Sequence, residues 1–405
     1  MNARSSAKFE LLTNPFPPSG LVRYPEIWAD RKETYAILER ALDMSLRASE
    51  TIVIQILGDY GTGKTHALRH VQHRLEEGGW FDKRVLPIFI ENPGENFSEF
   101  YERFLYALKI ETISKAVRQI VGEIVLRRAN DFQAKLAAGD LTMDDVAVAF
   151  SQPKLNEELV STLRDYLRAI GKPTSIREDM SDFMEHLARV LANLVQGGQN
   201  AYSSMKWLTM QDLYKVDREI LGVPDNPGVP THVALLMASM ITLVARAKAL
   251  DKIVLLVDEV EDLRKASGRD NLARCLRTFV DIGIRELVII LGTSYSIDVV
   301  FEGLTAFLRR VHITVTLPPI NEDGARELVA EYMRPLTKGK GDQVYGPFTP
   351  EAIKKFNDEA KGKMSVLITI LSLACELYRK GDWTRIDTSE AVKVIAEAKN
   401  LGIFV

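Results

Sequence analysis

The stretch QILGDYGTGKTHALRHV, residues 55 to 71, constrains the fold more than any other part of the sequence. Its centre, GDYGTGKT, matches the phosphate-loop pattern G-x-x-x-x-G-K-[ST] in full. The run TIVIQIL before it favours a strand, and THALRHVQHRLEE after it favours a helix that ends at Gly78-Gly79. A strand, a glycine loop and a helix in this order predict the beginning of an α/β fold with a parallel sheet.

The phosphate loop predicts a nucleotide site. Its glycines allow backbone amides and the start of the following helix to face phosphate groups. Lys64 would reach the β- and γ-phosphates, and the Thr65 hydroxyl would ligate Mg²⁺. The Asp59 carboxylate would repel phosphate unless it points outward. The expected nucleotide-binding residues of this segment are Gly58, Asp59, Tyr60, Gly61, Thr62, Gly63, Lys64, Thr65 and His66.

Three histidines follow the loop at helical spacing. His66, His70 and His73 stand at i, i+4 and i+7 and therefore share one face of the helix. A metal site would need a further ligand, and no cysteine or acidic residue stands at a suitable spacing. The missing ligand favours histidines that face solvent or a partner over a metal site.

The segment DKIVLLVDEVEDL supplies a second part of a nucleotide site. Residues Ile253 to Val257 form a continuous apolar run, as expected of a strand that is buried on both faces of a parallel sheet. Asp258 at the end of this strand would hold Mg²⁺ together with Thr65, and Glu259 would orient and deprotonate the attacking water. The alternative is a strand that merely ends in acidic residues, and the intact phosphate loop disfavours it.

A third apolar run, in ELVIILGTSYS, leads into Thr293 and Ser294. If this strand lies between the first two, one of these hydroxyl groups would lie beside the γ-phosphate. A plain turn residue is the alternative for either one.

The segment LRRVHITVTLPPI predicts a further strand, because apolar and polar residues alternate from Val311 to Leu317. Arg309 and Arg310 stand directly before it. Either could reach the nucleotide of a neighbouring subunit as an arginine finger, or both could be ordinary surface arginines.

The remaining sequence predicts three regions. Residues 1 to 20 form an irregular arm with Asn14-Pro15 and Pro17-Pro18, and residues 21 to 335 form the nucleotide-binding domain. The second strand of this domain covers 85 to 90, and a helical insertion covers about 105 to 230. Residues 336 to 405 form a helical lid, with a helix start at Thr349-Pro350-Glu351 and further helices at about 364 to 380 and 389 to 399.

Composition narrows the possible classes of protein. The net charge of −3 argues against a protein that coats polyanions, and two distant cysteines, Cys275 and Cys375, give neither a disulfide framework nor a thiolate metal site. The first residues, MNARSSAKFELLTNPF, have no apolar core of a signal peptide. The most apolar run, from Val233, reaches Arg246 too early to span a bilayer and predicts a buried helix. We therefore expect a cytoplasmic protein without a membrane partner.

The motifs together resemble those of the AAA+ ATPases, in the branch of the Orc/Cdc6-like initiators and the STAND proteins. PEIWADRKETYAILERAL, GDYGTGKT, LLVDE, LGTS and LRRVHITVTLPPINEDGARELV follow one another in the order of that family. The resemblance covers residues 14 to 92 and 233 to 397. It implies an AAA+ P-loop NTPase of α/β fold that hydrolyses ATP to ADP and phosphate, with ATP and Mg²⁺ as cofactors.

The resemblance also implies roles for single residues. The segment around Asp30 and Arg31 would cup the adenine, Thr293 or Ser294 would be the first sensor, and Arg310, less clearly Arg309, would be the finger. Where the family has an arginine as second sensor, AKGKMSVLITIL has Lys363 and Met364. Either lid closure is then not driven by nucleotide, or Lys363 supplies the charge. A narrower resemblance, through GDYGTGKTH, Trp207-Leu208, the helix at 233 to 250 and LLVDEVEDL, is to ATP-binding proteins of phage-defence islands such as the BREX systems.

Three functions stay open at this point. The first is an ATPase that assembles into a ring or filament and acts on double-stranded DNA with partner proteins. The second is a slow nucleotide switch that recruits a protein effector through the helical insertion. The third, an inactive P-loop fold, is disfavoured by the intact motifs. Four basic residues after Asp258 and Glu259 could contact DNA: Lys265, Arg269, Arg274 and Arg277. The alternative is that they are ordinary charges on a solvated helix face.

Overall fold

Parallel strands form one sheet at the centre of the protein, with helices on both faces. The structure, a computed structural model, describes residues 9–18, 22–29, 31–78, 81–128, 137–139, 178–265, 268–300, 311–338 and 343–403, with single positions between 157 and 167. In these residues the strands are β1 (Ile52–Leu57), β2 (Val85–Ile90), β3 (Lys252–Val257), β4 (Leu287–Thr293) and β5 (Ile313–Thr316).

The strand order across the sheet is β2-β3-β4-β1-β5, and every pairing is parallel. The α/β fold class predicted from the sequence is therefore confirmed. β4 lies between β1 and β3, which is the position that the prediction for Thr293 and Ser294 required. All six residues of β3 are buried, so the continuous apolar run does mark a strand covered on both faces.

Helices before and between the strands build the two outer layers. They are α1 (Lys32–Arg47), α2 (Lys64–Glu76), α3 (Phe97–Leu108), α4 (Ile110–Arg128), α5 (Glu178–Gln196), α6 (Gly198–Leu208), α7 (Lys215–Leu221), α8 (Pro230–Ala247), α9 (Arg269–Ile282) and α10 (Ile297–Val300). A short 3₁₀ helix, Val260–Lys265, follows β3. The helices α1 and α2 pack on one face of the sheet, while α3, α8 and α9 pack on the other.

The described part of the predicted insertion contains the helices α4 to α7, which share their core with α8 and one face of the sheet. α8 has the length and composition of a membrane span, but 72% of it is buried inside the protein. The prediction of a buried helix at this position is therefore confirmed. A polar contact also lies inside the insertion, where Lys206 Nζ is 2.7 Å from Asp217 Oδ2.

Four helices follow β5: α11 (Glu322–Thr337), α12 (Pro350–Ala360), α13 (Met364–Lys380) and α14 (Thr388–Asn400). The predicted helix start is confirmed, because the Thr349 side chain accepts a hydrogen bond from the Ala352 amide at 3.3 Å. Leu328 and Tyr332 of α11 belong to the same core as the three later helices. The expected boundary at residue 335 lies inside α11, so we propose that the lid begins before this helix, near residue 320.

The described part of the N-terminal arm, residues 9 to 18, is not helical and packs on the lid. Phe16 is 1% exposed, and its ring stacks on that of Tyr332 with 5.1 Å between centroids. The Tyr378 hydroxyl donates to the Phe9 carbonyl at 3.0 Å, and the Asn14 amide donates to the Ser372 carbonyl at 3.0 Å. The arm is thus held to α13 along its length.

Candidate nucleotide site

The loop from Gly58 to Gly63 connects β1 to α2 in a shape that needs glycine. Gly61 and Gly63 have φ of 83° and 99°, which side chains rarely allow. A Cβ at Gly58 would lie 2.5 Å from Thr62 Oγ1. Asp59 is exposed, and Tyr60 is 81% exposed. The side chains of Asp59 and Tyr60 therefore lie in solvent.

Lys64, the first residue of α2, folds back onto the loop. Its Nζ donates to the carbonyls of Gly58 and Asp59 at 3.0 and 3.3 Å, and to Ser294 Oγ at 2.8 Å. Burial lowers the pKa of this ammonium, and the Glu261 carboxylate is the strongest of the charges that oppose the shift.

Thr65 and Asp258, the two predicted metal ligands, lie in contact with each other. The Thr65 side chain hydrogen-bonds to the Asp258 carboxyl, which is 1% exposed. Burial raises the pKa of Asp258, and the bond from Thr65 opposes that rise. A carboxylate beside a hydroxyl is an oxygen donor set that suits Mg²⁺, so these two residues fit the expected ion. Gly292 on β4 leaves room for them, since a Cβ there would lie 2.7 Å from Asp258 Oδ1.

Glu259 is exposed beside Asp258, in the left-handed backbone region at φ 52°. Strained conformations of this kind cluster at functional sites. Asn92, just after β2, donates through Nδ2 to Glu259 Oε2 at 3.2 Å and to Asp262 Oδ2 at 2.7 Å. Arg103 Nη1 in turn donates to Asn92 Oδ1 at 2.7 Å. Asn92 therefore orients the proposed catalytic base, a role that the sequence analysis missed.

Ser294 and Thr293 have different surroundings, although the sequence treats them as equal candidates. Thr293 is fully buried, accepts a hydrogen bond from Gln55 Nε2 at 2.7 Å and donates to the Tyr295 carbonyl at 2.6 Å. Ser294, by contrast, contacts Lys64 and the carboxylate of Glu261. The side chain of Ser294, and not that of Thr293, thus lies beside Lys64, while the Thr293 carbonyl accepts a hydrogen bond from the Gly58 amide at 3.2 Å. The sequence analysis also missed Glu261.

Arg31 and the lid lie directly against the loop. Arg31 precedes α1 with φ 58°, and its Nη1 donates to the Thr62 carbonyl at 2.9 Å. The Ser365 amide at the start of α13 donates to the Gly61 carbonyl at 3.1 Å. Lys363, the N-cap residue of α13, is exposed beside the same glycine, where a Cβ would lie 3.4 Å from Lys363 Cβ. Arg31 and Lys363, for which the resemblance implied roles at the nucleotide, therefore both lie at the phosphate loop. Asp30 lies outside the described residues.

A narrow cleft of about 10 Å³, room for about one water molecule, lies between residues 27 to 31, α2 and the lid. It is lined mainly by apolar side chains and lies next to Gly63 of the phosphate loop. The side chains that line it include Ile27, Trp28, Arg31, His66, Leu328 and Met364.

Two histidines of α2 hold the segment that precedes α1. His66 Nε2 lies 2.5 Å from the Ile27 carbonyl, and His70 Nδ1 lies 2.7 Å from the Pro25 carbonyl. Burial lowers the pKa of His66, and it lowers the pKa of His70 to about 4. The expectation of histidines that face solvent or a partner is therefore wrong for His70, which is 3% exposed, because residues 25 to 28 of the same chain cover it. His73 instead pairs with Glu77 at 3.3 Å, and within the described residues no cluster of metal-binding side chains occurs.

Other predicted residues are only partly described. Arg309, Arg310 and the side chain of Lys265 lie outside the described residues. On α9, Arg269 Nε is 3.5 Å from Asp270 and Arg277 Nε is 3.2 Å from Asp281, while Arg274 is exposed.

Comparison with known proteins identifies a family for most of the chain. The model of the KAP family P-loop domain matches residues 34–294, which is more than half of the chain and runs from α1 to Ser294. The prediction of a P-loop NTPase is therefore confirmed. No curated protein matches the chain.

The solved structures to which the chain is similar include proteins of the group named in the sequence analysis. The ORC2 protein of Aeropyrum pernix, in ADPNP and ADP complexes, is 13% identical with a TM-score of 0.46, and 93% of this chain and 70% of that chain are covered. The Aeropyrum pernix ORC1 protein in complex with DNA is 16% identical with a TM-score of 0.44, with coverage of 93% and 68%. A Walker-type ATPase of Pyrococcus abyssi is 14% identical with a TM-score of 0.40, with coverage of 93% and 74%.

Proposed function

The chain belongs to the KAP family of P-loop NTPases, and we propose on that basis that it is a Mg²⁺-dependent ATPase. The observation that carries this proposal is the meeting of Lys64, the Thr65–Asp258 pair and Glu259 at the carboxyl ends of β1 and β3. Ligands of open parallel sheets bind at this edge of the sheet. Phosphoryl transfer needs this combination of an ammonium, a metal site and a carboxylate that can orient water.

Each group has one task in the proposed reaction. The amides of the loop and Lys64 would bind the β- and γ-phosphates, and Thr65 and Asp258 would hold Mg²⁺, which offsets charge on the phosphates. Glu259 would accept a proton from the attacking water in the orientation that Asn92 gives it. The base would lie at the cleft beside His66 and Met364, whose apolar lining suits the flat face of adenine; the cleft must widen for this, because its volume of about 10 Å³ is too small for a purine.

Two variants test this assignment. Lys64→Ala removes the ammonium, and we expect it to weaken binding of ATP by about tenfold or more. Glu259→Gln keeps the shape of the side chain and loses its basicity, so ATP should bind normally while turnover falls by about 10² or more. The measurements are calorimetric titration with ATP and release of phosphate. Normal turnover by Glu259→Gln would refute Glu259 as the base.

We further propose that the protein assembles into a ring or filament and acts on double-stranded DNA with a partner protein. Support comes from the motif resemblance, from Arg309 and Arg310 before β5 as candidate fingers, and from the cations of α9. The described helices of the insertion offer a surface for the partner. The phage-defence setting and a cytoplasmic location stay predictions of the same kind.

The second candidate is a slow switch that recruits a protein effector without contacting DNA. Two of the α9 arginines already pair with neighbouring aspartates, which favours a solvated helix face. ATP hydrolysis at several protein concentrations, with and without double-stranded DNA, separates the candidates. A hydrolysis rate per subunit that rises with protein concentration and with DNA indicates an assembly acting on DNA. A slow rate that changes with neither indicates the switch.

A further inference from the structure

The Lys64 ammonium uses all its hydrogen-bonding capacity inside the protein. An ammonium group has three donors, and here they point at the carbonyls of Gly58 and Asp59 and at Ser294 Oγ. A phosphate group that binds to Lys64 must therefore replace at least one of these acceptors. The position of Lys64 in the structure is a retracted one.

Glu261 makes Ser294 an acceptor for Lys64. The Glu261 carboxylate receives two hydrogen bonds from Ser294, one from the amide at 3.1 Å and one from the hydroxyl. Because the only hydroxyl proton of Ser294 points at Glu261, the lone pairs of Oγ are left to face the ammonium. The negative charge of Glu261 polarises this hydroxyl and strengthens its bond to Lys64.

We propose that Glu261, acting through Ser294, is a clamp that holds Lys64 in its retracted position and competes with the phosphates of the nucleotide. The inference rests on the proposed nucleotide site, and it adds a residue that the site does not need for hydrolysis itself. Glu261 is a positioning residue, because it contacts Ser294 and does not donate or accept a bond at the loop.

The clamp gives Ser294 two alternative partners. While the Ser294 hydroxyl donates to Glu261, it has no proton to offer to a γ-phosphate. Contact with a γ-phosphate therefore requires release of Glu261, which lies on the 3₁₀ helix Val260–Lys265 directly before α9. Nucleotide binding at the loop is in this way linked to the segment that carries the candidate DNA-contacting arginines.

Glutamine at position 261 would break the clamp with little change of shape. Its single carbonyl oxygen can accept from the Ser294 amide, but its NH₂ group would face the hydroxyl and could only donate to it. The Ser294 hydroxyl would then no longer donate to residue 261, and Lys64 would lose the polarised Ser294 oxygen as its acceptor. Glu261→Gln should consequently bind nucleotide more tightly than the original protein.

The experiment is calorimetric titration of the full chain with Mg-ADP and with a non-hydrolysable Mg-ATP analogue. The variants are Glu261→Gln, Ser294→Ala and the double variant. Glu259→Gln is the matched control, because it removes the same charge from the same edge of the sheet without touching Ser294. We expect Glu261→Gln to lower Kd by about tenfold more than Glu259→Gln does, the size typical of a charge-assisted hydrogen bond. In the Ser294→Ala background this excess should vanish.

The outcomes separate the clamp from its alternatives. A variant that merely loosens the fold loses affinity, so weaker binding by Glu261→Gln overturns the clamp. Equal gains for Glu261→Gln and Glu259→Gln, or a gain that persists without Ser294, also overturn it and reduce Glu261 to a local charge. Binding without hydrolysis in the original protein refutes the proposed ATPase alone, since these titrations still test the clamp. Nucleotide binding by none of the proteins overturns both proposals.

Discussion

Replacing Gly292 of β4 by alanine would test how closely the predicted metal ligand Asp258 approaches this strand. The new Cβ would lie 2.7 Å from Asp258 Oδ1 and 2.8 Å from Leu68 Cδ1, whereas ordinary contacts begin at 3.4 Å. Each neighbour must retreat by roughly half an ångström or more, which is overpacking of a dense interior. Leu68 and Asp258 are 0% and 1% exposed, so neither can move into solvent.

Two consequences follow from this displacement. Overpacking of a buried site costs about 1–3 kcal/mol, and we expect the free energy of unfolding of Gly292→Ala to fall by that amount. Asp258 is held by the Glu259 amide at 3.0 Å and by Thr65, so a shift of the carboxylate also disturbs the proposed Mg²⁺ ligands. Changes next to metal ligands typically cost about 10–100-fold in affinity for the metal. The Mg²⁺ concentration for half-maximal ATP hydrolysis should therefore rise by about tenfold or more.

The assays are urea unfolding, followed by circular dichroism, and phosphate release as a function of free Mg²⁺. Gly228→Ala is the matched control, because its Cβ would meet nothing closer than 3.9 Å and its backbone lies outside the left-handed region. That variant should keep the original stability or gain a few tenths of a kcal/mol. Unchanged unfolding and unchanged Mg²⁺ dependence in Gly292→Ala would refute the close approach of Asp258 to β4.

Three further predictions concern stability. Asp217→Asn leaves the Lys206 ammonium without its charged partner, which now lies at 2.7 Å, and we expect a lower free energy of unfolding in urea titrations. Phe16→Ala should cost about 3–5 kcal/mol in the same assay, since the ring is buried against Tyr332. His70 has a pKa of about 4 in the folded protein and 6.5 in the unfolded chain. Between these values only the unfolded chain binds the proton, so stability should fall as pH drops from 6.5 to 4. Urea midpoints at pH 7 and pH 5 should show this loss, and His70→Gln should reduce it.

The fold was predictable from the sequence where one physical cause dominated. The run from residue 85 to 90 predicts β2 with its observed ends, and the continuous apolar run before Asp258 predicts β3, which lies between β2 and β4 and is buried on both faces. The meeting of Lys64, Thr65 and Asp258 also follows from sequence. A phosphate loop fixes one strand end, and an acidic strand end must lie beside it in a parallel sheet.

The rest of the site depends on contacts between distant positions. Asn92 meets Glu259 across 167 positions because β2 pairs with β3, and no local pattern encodes that pairing. Ser294 differs from Thr293 because β4 continues to Thr293, and neighbouring side chains of a strand point to opposite faces. The apolar run recognised in the sequence ends at Leu291, two residues before the strand does. Knowledge of the strand end would have separated the two hydroxyl groups.

Two segments that precede α1 pack on different parts of the protein. Residues 9 to 18 of the arm are fixed on α13 and α11, while residues 25 to 28 are held by His66 and His70 of α2. The latter segment forms one wall of the cleft, and Met364 of the lid forms another. The Ser365 amide of the lid donates to the Gly61 carbonyl of the phosphate loop at 3.1 Å. A nucleotide on the loop would therefore contact the lid only while the lid is packed in this position, and by linkage it must stabilise that packing to the same extent. Phe16→Ala, although it lies on the lid, should therefore weaken binding of nucleotide, and saturating nucleotide should restore part of its lost stability.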